Sequence, residues 1–221
     1  MELPISICIG IISYLPDEED VRKVRIARLN DLIYSCNKTF NLPIIIIAQN
    51  WKKEDKVNIT QNCTIVFKDK LGITLARETL RKYFIEKTQY SHMICFDDDF
   101  EITKNDKPAR LYIQFIKSNP DKLIEYENYL MNLCCLPRTI AEKFTFNTNI
   151  SPEDGTGFED WIYVASIQRN YPELYKKVKS LNLPLKSRKN LVEDIYSTWI
   201  TKDTDKNKID KASREIIYGK K

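Results

Sequence analysis

Three consecutive aspartates, Asp97, Asp98 and Asp99, follow directly on the apolar run Met93-Ile94-Cys95-Phe96. A run of that length and composition is a strand buried on both faces, and an open α/β sheet places its ligand crevice at the carboxyl ends of such strands. Three carboxylates there repel one another and destabilise the fold unless a cation or hydrogen-bond donors offset them. A divalent metal supplies that offset. The Asp97-x-Asp99 spacing lets one carboxylate take a hard cation while its neighbour reaches a sugar hydroxyl. The bland alternative is a solvated acidic turn. A second acidic pair, Glu159-Asp160, opens a helix just after Gly155-Thr156-Gly157, the one place where two glycines lie close together. Carboxylates so placed either serve as a general base for a hydroxyl or merely complement the positive end of the helix.

The elements that must position these groups are legible in order. Residues 4–12 are β-branched and read as a first buried strand ending at Ser13-Tyr14. After Pro16, the acids at 17–20 favour a helix start, and Ile26, Leu29, Ile33 and Cys36 recur at helical spacing. Residues 42–48 form a second strand, stopped by Gln49-Asn50-Trp51, and residues 63–67 a third. Residues 73–87 form a helix with Ala76, Leu80 and Phe84 on one face, and the acidic strand follows. This alternation predicts a Rossmann-like half with a mostly parallel sheet, whose carboxyl edge gathers Ser13, Tyr14, Gln49, Asn50 and the acids into a nucleotide-sized crevice. No glycine-rich phosphate fingerprint is present, and a chain with 5 glycines cannot cradle phosphate by backbone alone, which favours a metal for that task.

Beyond the acids, residues 108–117 read as helix, 123–136 as one or two strands, and Pro137-Arg138 as the start of a short helix. Residues 144–157 read as loop, and the helix that follows is anchored by Ile162, Ala165 and Ile167. Residues 170–189 read as a proline-punctuated connection, 191–200 as a short amphipathic element, and 201–221 as a charged, fraying tail. The expected organisation is one α/β domain over 1–200, with a nucleotide-binding half (1–103) continuous with a smaller acceptor-side half (104–200).

Composition narrows the function classes. With 221 residues, 43% of them hydrophobic, the chain can bury a sizeable core. A net charge of +4, dispersed along the chain, is too small an excess to argue for a nucleic-acid binder, and none is expected as a partner. Only the cluster Lys176, Lys177, Lys179, Lys186, Arg188 and Lys189 offers a basic patch, suited to peripheral contact with an anionic membrane. The 6 cysteines lack metal-ligand spacing and read as reduced core residues. No secretory signal precedes the first strand, so the expected location is cytoplasmic. The single histidine, His92, begins a strand and reads as structural.

Three motifs in order resemble nucleotide-sugar glycosyltransferases of the GT-A fold, the inverting family 2 and its galactosyltransferase-like relatives in particular. Asp97-Asp98-Asp99 is similar to the family's Asp-x-Asp. Gly72-Ile73-Thr74-Leu75-Ala76-Arg77 is similar to its Gly-x-x-x-Ala-Arg helix start. Gly155-Thr156-Gly157-Phe158-Glu159-Asp160 is similar to its glycine loop and Glu-Asp. The resemblance implies transfer of a hexose-type sugar from a nucleotide sugar, UDP-linked, to a glycan or lipid-linked acceptor. It implies Mn²⁺ or Mg²⁺ at Asp99, donor contacts from Ser13, Tyr14, Gln49, Arg77, Asp97 and Asp98, and acceptor contacts from Gly157, Phe158 and Trp161. Asp160 is the implied general base, with Glu159 in reserve. Two departures stand out: Gln49-Asn50 replaces the aspartate that usually closes the second strand, and no histidine follows the Glu-Asp helix. A nucleotidyltransferase and a catalytically idle nucleotide-sugar or carbohydrate-binding module are the alternative readings.

Overall fold

Isoleucine-rich segments form the centre of a sheet, because side chains that alternate between two faces need apolar residues on both when helices cover both. The computed structural model describes residues 4–98, 100–102, 106–126, 131, 133–146, 159–178 and 185–187, with the backbone alone at 101, 106, 159, 161 and 185–187. The first half runs β1 (Ile7–Tyr14), α1 (Glu19–Phe40), β2 (Ile44–Gln49), β3 (Cys63–Lys68), α2 (Ile73–Lys87) and β4 (His92–Asp97). Then come β5 (Phe100–Ile102), α3 (Asp106–Lys117), β6 (Leu123–Tyr126), β7 (Leu133–Pro137), α4 (Arg138–Lys143) and α5 (Glu159–Asn170). A 3-10 turn (Pro172–Leu174), β8 (Tyr175–Val178) and β9 (Leu185–Ser187) complete the described elements.

Seven strands form one sheet in the order β3-β2-β1-β4-β7-β6-β8, and β5 pairs separately with β9. β3, β2, β1 and β4 are parallel, as the alternation predicts; β7 pairs antiparallel with both β4 and β6, and β8 is parallel to β6. Alternation sorts the strand residues into two cores. Ile9, Ile11, Ile44, Ile46, Ile94 and Phe96 pack beneath α1 and α3, while Cys8, Ile12, Ile45, Ile47, Met93 and Cys95 pack beneath α2, α4 and α5. Gly10 sits under α2, where a Cβ would come within 2.5 Å of Met93 Sδ and 3.0 Å of Leu80 Cδ2, so glycine permits the close packing of helix on sheet.

α1 carries Glu19 and Asp20 in its first turn and ends at Asn41 in the left-handed region (φ 50°), one of the few non-glycine residues that adopt it readily. α2 starts after Gly72 (φ 82°). All 6 cysteines are free, and only Cys63 is not fully buried. Residues 170–189 depart from the expected connection. They hold β8, an edge strand of the main sheet, and β9. Tyr175-Lys176-Lys177-Val178 lacks an apolar run because only one side of an edge strand meets the core, so its pairing is set by β6 rather than by local pattern. The expected element at 191–200 and the tail at 201–221 lie outside the described residues. Among the described residues no helix is long and apolar enough to cross a membrane.

Candidate functional site

The carboxyl ends of β1, β2 and β4 meet at one edge, with Tyr14 in register with Gln49 and Ile12 with Asp97. Strand alternation there separates the first two acids. Asp97 continues the face of Met93 and Cys95 toward α2, and Asp98 turns toward α1. Each meets an arginine from the helix on its side. Arg77 of α2, 4% exposed, donates from Nη2 to the two Asp97 oxygens at 3.1 and 3.3 Å and from Nη1 to the Met131 carbonyl at 3.4 Å. Arg25 of α1 donates to the two Asp98 oxygens at 3.2 and 3.4 Å and to the Tyr14 carbonyl at 3.5 Å. Burial pushes the Asp98 carboxyl above its ordinary range, opposed by Arg25, by the Ser13 hydroxyl and by the Tyr14 backbone N–H, and reinforced by the neighbouring Asp97 charge. The Ser13 hydroxyl, buried at the same edge, nevertheless makes no hydrogen bond of normal geometry.

A third arginine fastens the loops around this edge. Arg22, buried on α1, donates to Asp55 through Nε (2.8 Å) and Nη2, and to the carbonyls of Leu15 (3.1 Å), Pro16 (2.9 Å) and Asn50 (2.7 Å). Burial alone would raise the Asp55 carboxyl, but Arg22 and the Lys52 N–H outweigh it and hold it below the ordinary carboxylate value. Asn50 (φ 57°) donates its side-chain amide to the Leu15 carbonyl (2.8 Å) and to Asp17 (3.1 Å). The Gln49 side chain, 2% exposed, accepts the Leu71 N–H at 3.0 Å. Gln49 and Asn50 thus hold β1, β2 and the α2 approach together. Tyr14 lies under the Lys70 ammonium, 5.4 Å from its ring centre.

On the α2 side, α5 packs through Tyr163, Val164 and Ile167; Ile162 is buried too, whereas Ala165 is only half-buried and is not the anchor expected of it. Phe146 stacks on Tyr163 with ring centres 4.3 Å apart. Glu78 of α2 accepts Arg81 with both oxygens (2.6 and 2.7 Å) and the Phe146 N–H (3.2 Å), and Arg81 also donates to the Ala141 carbonyl, tying α4 and the chain after it to α2. Asp160, at the start of α5, is buried at 6% exposure. Gly157, Phe158 and Asp99 lie outside the described residues, as do the side chains of Glu159 and Trp161. His92 lies at the other end of β4, its Nε2 2.8 Å from the Pro120 carbonyl and its Nδ1 2.8 Å from the Ser91 hydroxyl, a structural placement.

Whether these residues fit a metal is answered by their donor set. Among the described residues, no group of three histidine, cysteine, aspartate or glutamate side chains is arranged to hold a metal ion. Arginines already offset two of the three charges that the sequence reading assigned to a divalent cation. The described residues therefore form no metal site by themselves, and Asp99 is the one acid of the motif left for that role.

Arg22, Arg25 and Asp55 escaped the sequence reading, although Arg22 carried a signal. It extends the apolar stripe of α1, four residues before Ile26 and seven before Leu29, where a charged group must be buried and paired. Arg25 and Asp55 carried none, because their partners lie 73 and 33 residues away.

No protein-family model and no curated protein sequence matches the chain. Solved structures do. The chain superposes on residues 1–349 of TarS from S. aureus (TM-score 0.51, 10% identity, 73% of this chain and 54% of that one). It also superposes on the mannosyltransferase PcManGT from Pyrobaculum calidifontis in complex with GDP-Man and Mn²⁺ (0.52, 13%, 78% and 54%). A third match is a protein from Bacillus anthracis described as a glucose-1-phosphate thymidylyltransferase, in complex with a sucrose (0.51, 10%, 79% and 87%). The chain spans about half the length of the first two. At these identities the likeness is one of fold, and with the β3-β2-β1-β4-β7-β6-β8 order it gives the chain the GT-A architecture found in nucleotide-sugar transferases.

Proposed function

We propose that the protein is a glycosyltransferase that moves a hexose-type sugar from a nucleotide sugar, with UDP as leaving group, to a hydroxyl of a glycan or lipid-linked acceptor, inverting the anomeric centre. The observation that carries this reading is the convergence of Tyr14, Arg25, Arg77, Asp97 and Asp98 on the carboxyl edge of a GT-A sheet. Ser13 and Tyr14 lie beside the base and Gln49 braces that subsite. Arg77 presents a fixed positive charge to the diphosphate while its partner Asp97 reaches the ribose or sugar. Asp160 removes the acceptor proton as the acceptor oxygen bonds to the anomeric carbon; the bond from that carbon to the diphosphate oxygen breaks, and UDP leaves with the electron pair. Glu159 orients the acceptor hydroxyl, with Gly157, Phe158 and Trp161 around it. Asp99 would hold Mn²⁺ or Mg²⁺ when the donor is bound, and the ion would supply charge neutralisation for the leaving group.

We extend the proposal to a cytoplasmic location with peripheral membrane contact through the basic carboxyl-terminal region. Lys177 contributes little to such a patch, since it lies 3.5 Å from the buried Glu125 carboxylate. A nucleotidyltransferase is the second reading, favoured by the match to the Bacillus anthracis protein, of which the chain covers 87%. Thermal shift with a panel of nucleotide sugars and nucleoside triphosphates, with Mn²⁺ and with EDTA, tests both. Stabilisation by a UDP-sugar, lost in EDTA and followed by UDP release with acceptor, supports the glycosyltransferase. Stabilisation by a triphosphate alone, with pyrophosphate release, supports the second reading, and sugar binding without turnover supports a binding module.

A further inference from the structure

β1 and β4 part company just where a donor would lie. Their last ladder pair is Ile12 with Asp97, so Ser13, Tyr14 and Asp98 run on with no backbone pairing between the two strands. Arg25 spans that gap. Its guanidinium reaches both Asp98 oxygens and the Tyr14 carbonyl, with 21% of the side chain exposed against 14% for Asp98. The Tyr14 backbone N–H supports the same carboxylate, so Asp98 and Arg25 together grip the end of β1 from both its donor and its acceptor. Asp98 also faces away from Asp97, toward the α1 layer, and so does not share the side of the sheet on which Arg77 and Asp97 meet.

We propose that Arg25 is a positioning residue of the nucleotide site. Through Asp98 and the Tyr14 carbonyl it fixes the spacing between the Ser13-Tyr14 end of β1 and the acid motif at the end of β4. Asp98 is then a partner of Arg25 rather than a ligand of the donor. The inference rests on the carboxyl edge being a nucleotide-sugar site. All three contacts come from Nη1 at the far end of the guanidinium, and a lysine at position 25 keeps the charge on a shorter side chain that does not place an N–H donor there, which separates charge balance from positioning.

The test measures UDP affinity by calorimetry in Mn²⁺ buffer, with the melting temperature, for wild type, Arg25→Lys, Arg25→Gln, Asp98→Asn and the double variant Arg25→Gln/Asp98→Asn. Arg25→Lys is expected to melt like wild type yet bind UDP about five- to tenfold more weakly. Arg25→Gln strands a half-buried carboxylate and loses both stability and affinity. The double variant removes that charge, so its melting temperature recovers while its affinity does not. Wild-type affinity in both Arg25→Lys and the double variant overturns the inference and leaves the pair a stabilising contact only. A wild-type protein that binds neither UDP nor any UDP-sugar overturns the functional reading as well, and is told apart because no variant then has affinity to lose.

Discussion

The two edges of the sheet bury cations against different partners. At the amino edge, Arg138 donates to the carbonyls of Tyr90 (2.9 Å), Ile85 (2.7 Å), Phe84 (2.9 Å) and Thr88 (3.0 Å) and to the Thr88 hydroxyl (3.1 Å), while lying 4.7 Å over the Phe84 ring. It closes the carboxyl end of α2, where orphan carbonyls favour a positive charge. His92 beside it, whose burial disfavours the charged form, is bound to uncharged partners. At the carboxyl edge, Arg22, Arg25 and Arg77 each face an aspartate. An arginine held by backbone carbonyls has no competitor for its partners, whereas one held by a carboxylate can be shared with a phosphate of similar geometry. The amino edge holds its arginine by neutral oxygens alone, while each carboxyl-edge arginine adds a carboxylate to its carbonyl partners.

Four substitutions break or sharpen that contrast. The largest effect is expected from Asp160→Asn, which should lower turnover about 10²- to 10⁴-fold while UDP-sugar affinity stays near wild type. Steady-state kinetics with calorimetry check it, and normal turnover would remove Asp160 from the chemistry. Arg138→Ala should cost about 2 to 3 kcal/mol of stability in urea unfolding and leave UDP affinity unchanged, since its effect belongs to the amino edge. A matching loss of UDP affinity would erase the distinction between the edges.

Arg77→Ala should reverse that pattern, weakening UDP binding about tenfold with a smaller loss of stability. Unchanged affinity by calorimetry would make it a scaffold residue like Arg138. The smallest effect concerns His92, whose burial lowers its proton affinity below the ordinary value of 6.5, partly offset by the Pro120 carbonyl. The unfolded chain then binds more protons than the native one, so stability should fall as pH drops below about 6.5 toward the folded value. In His92→Gln, urea unfolding between pH 7 and 5 should show that part of the decline removed.

Regular packing made most of the fold legible. Ile44 to Ile47 announces a doubly covered strand, and the spacing of Leu29, Ile33 and Cys36 announces the α1 face, because each pattern is local and buried. β8 was not legible, since its pairing partners lie 52 residues earlier, in β6. The acids at 97–99 and their edge were read from type and position alone, but their neutralisation by Arg25 and Arg77 was not. Charge partners are fixed by three-dimensional proximity and leave no periodicity. Gln49 illustrates the same limit: its place on the edge followed from β2, and its bond to Leu71 did not.

Among the described residues, the two strands that border the sheet differ in the side chains they carry. Among the described residues β8 ends one border, with an exposed lysine, Lys176, of the kind that disfavours addition of a foreign strand. β3 ends the other with Cys-Thr-Ile-Val-Phe-Lys, carrying Phe67 63% exposed beside Trp51. Such a border, β-branched and nearly uncharged, is a template for strand addition, so any intermolecular sheet extension in concentrated solution would begin along β3.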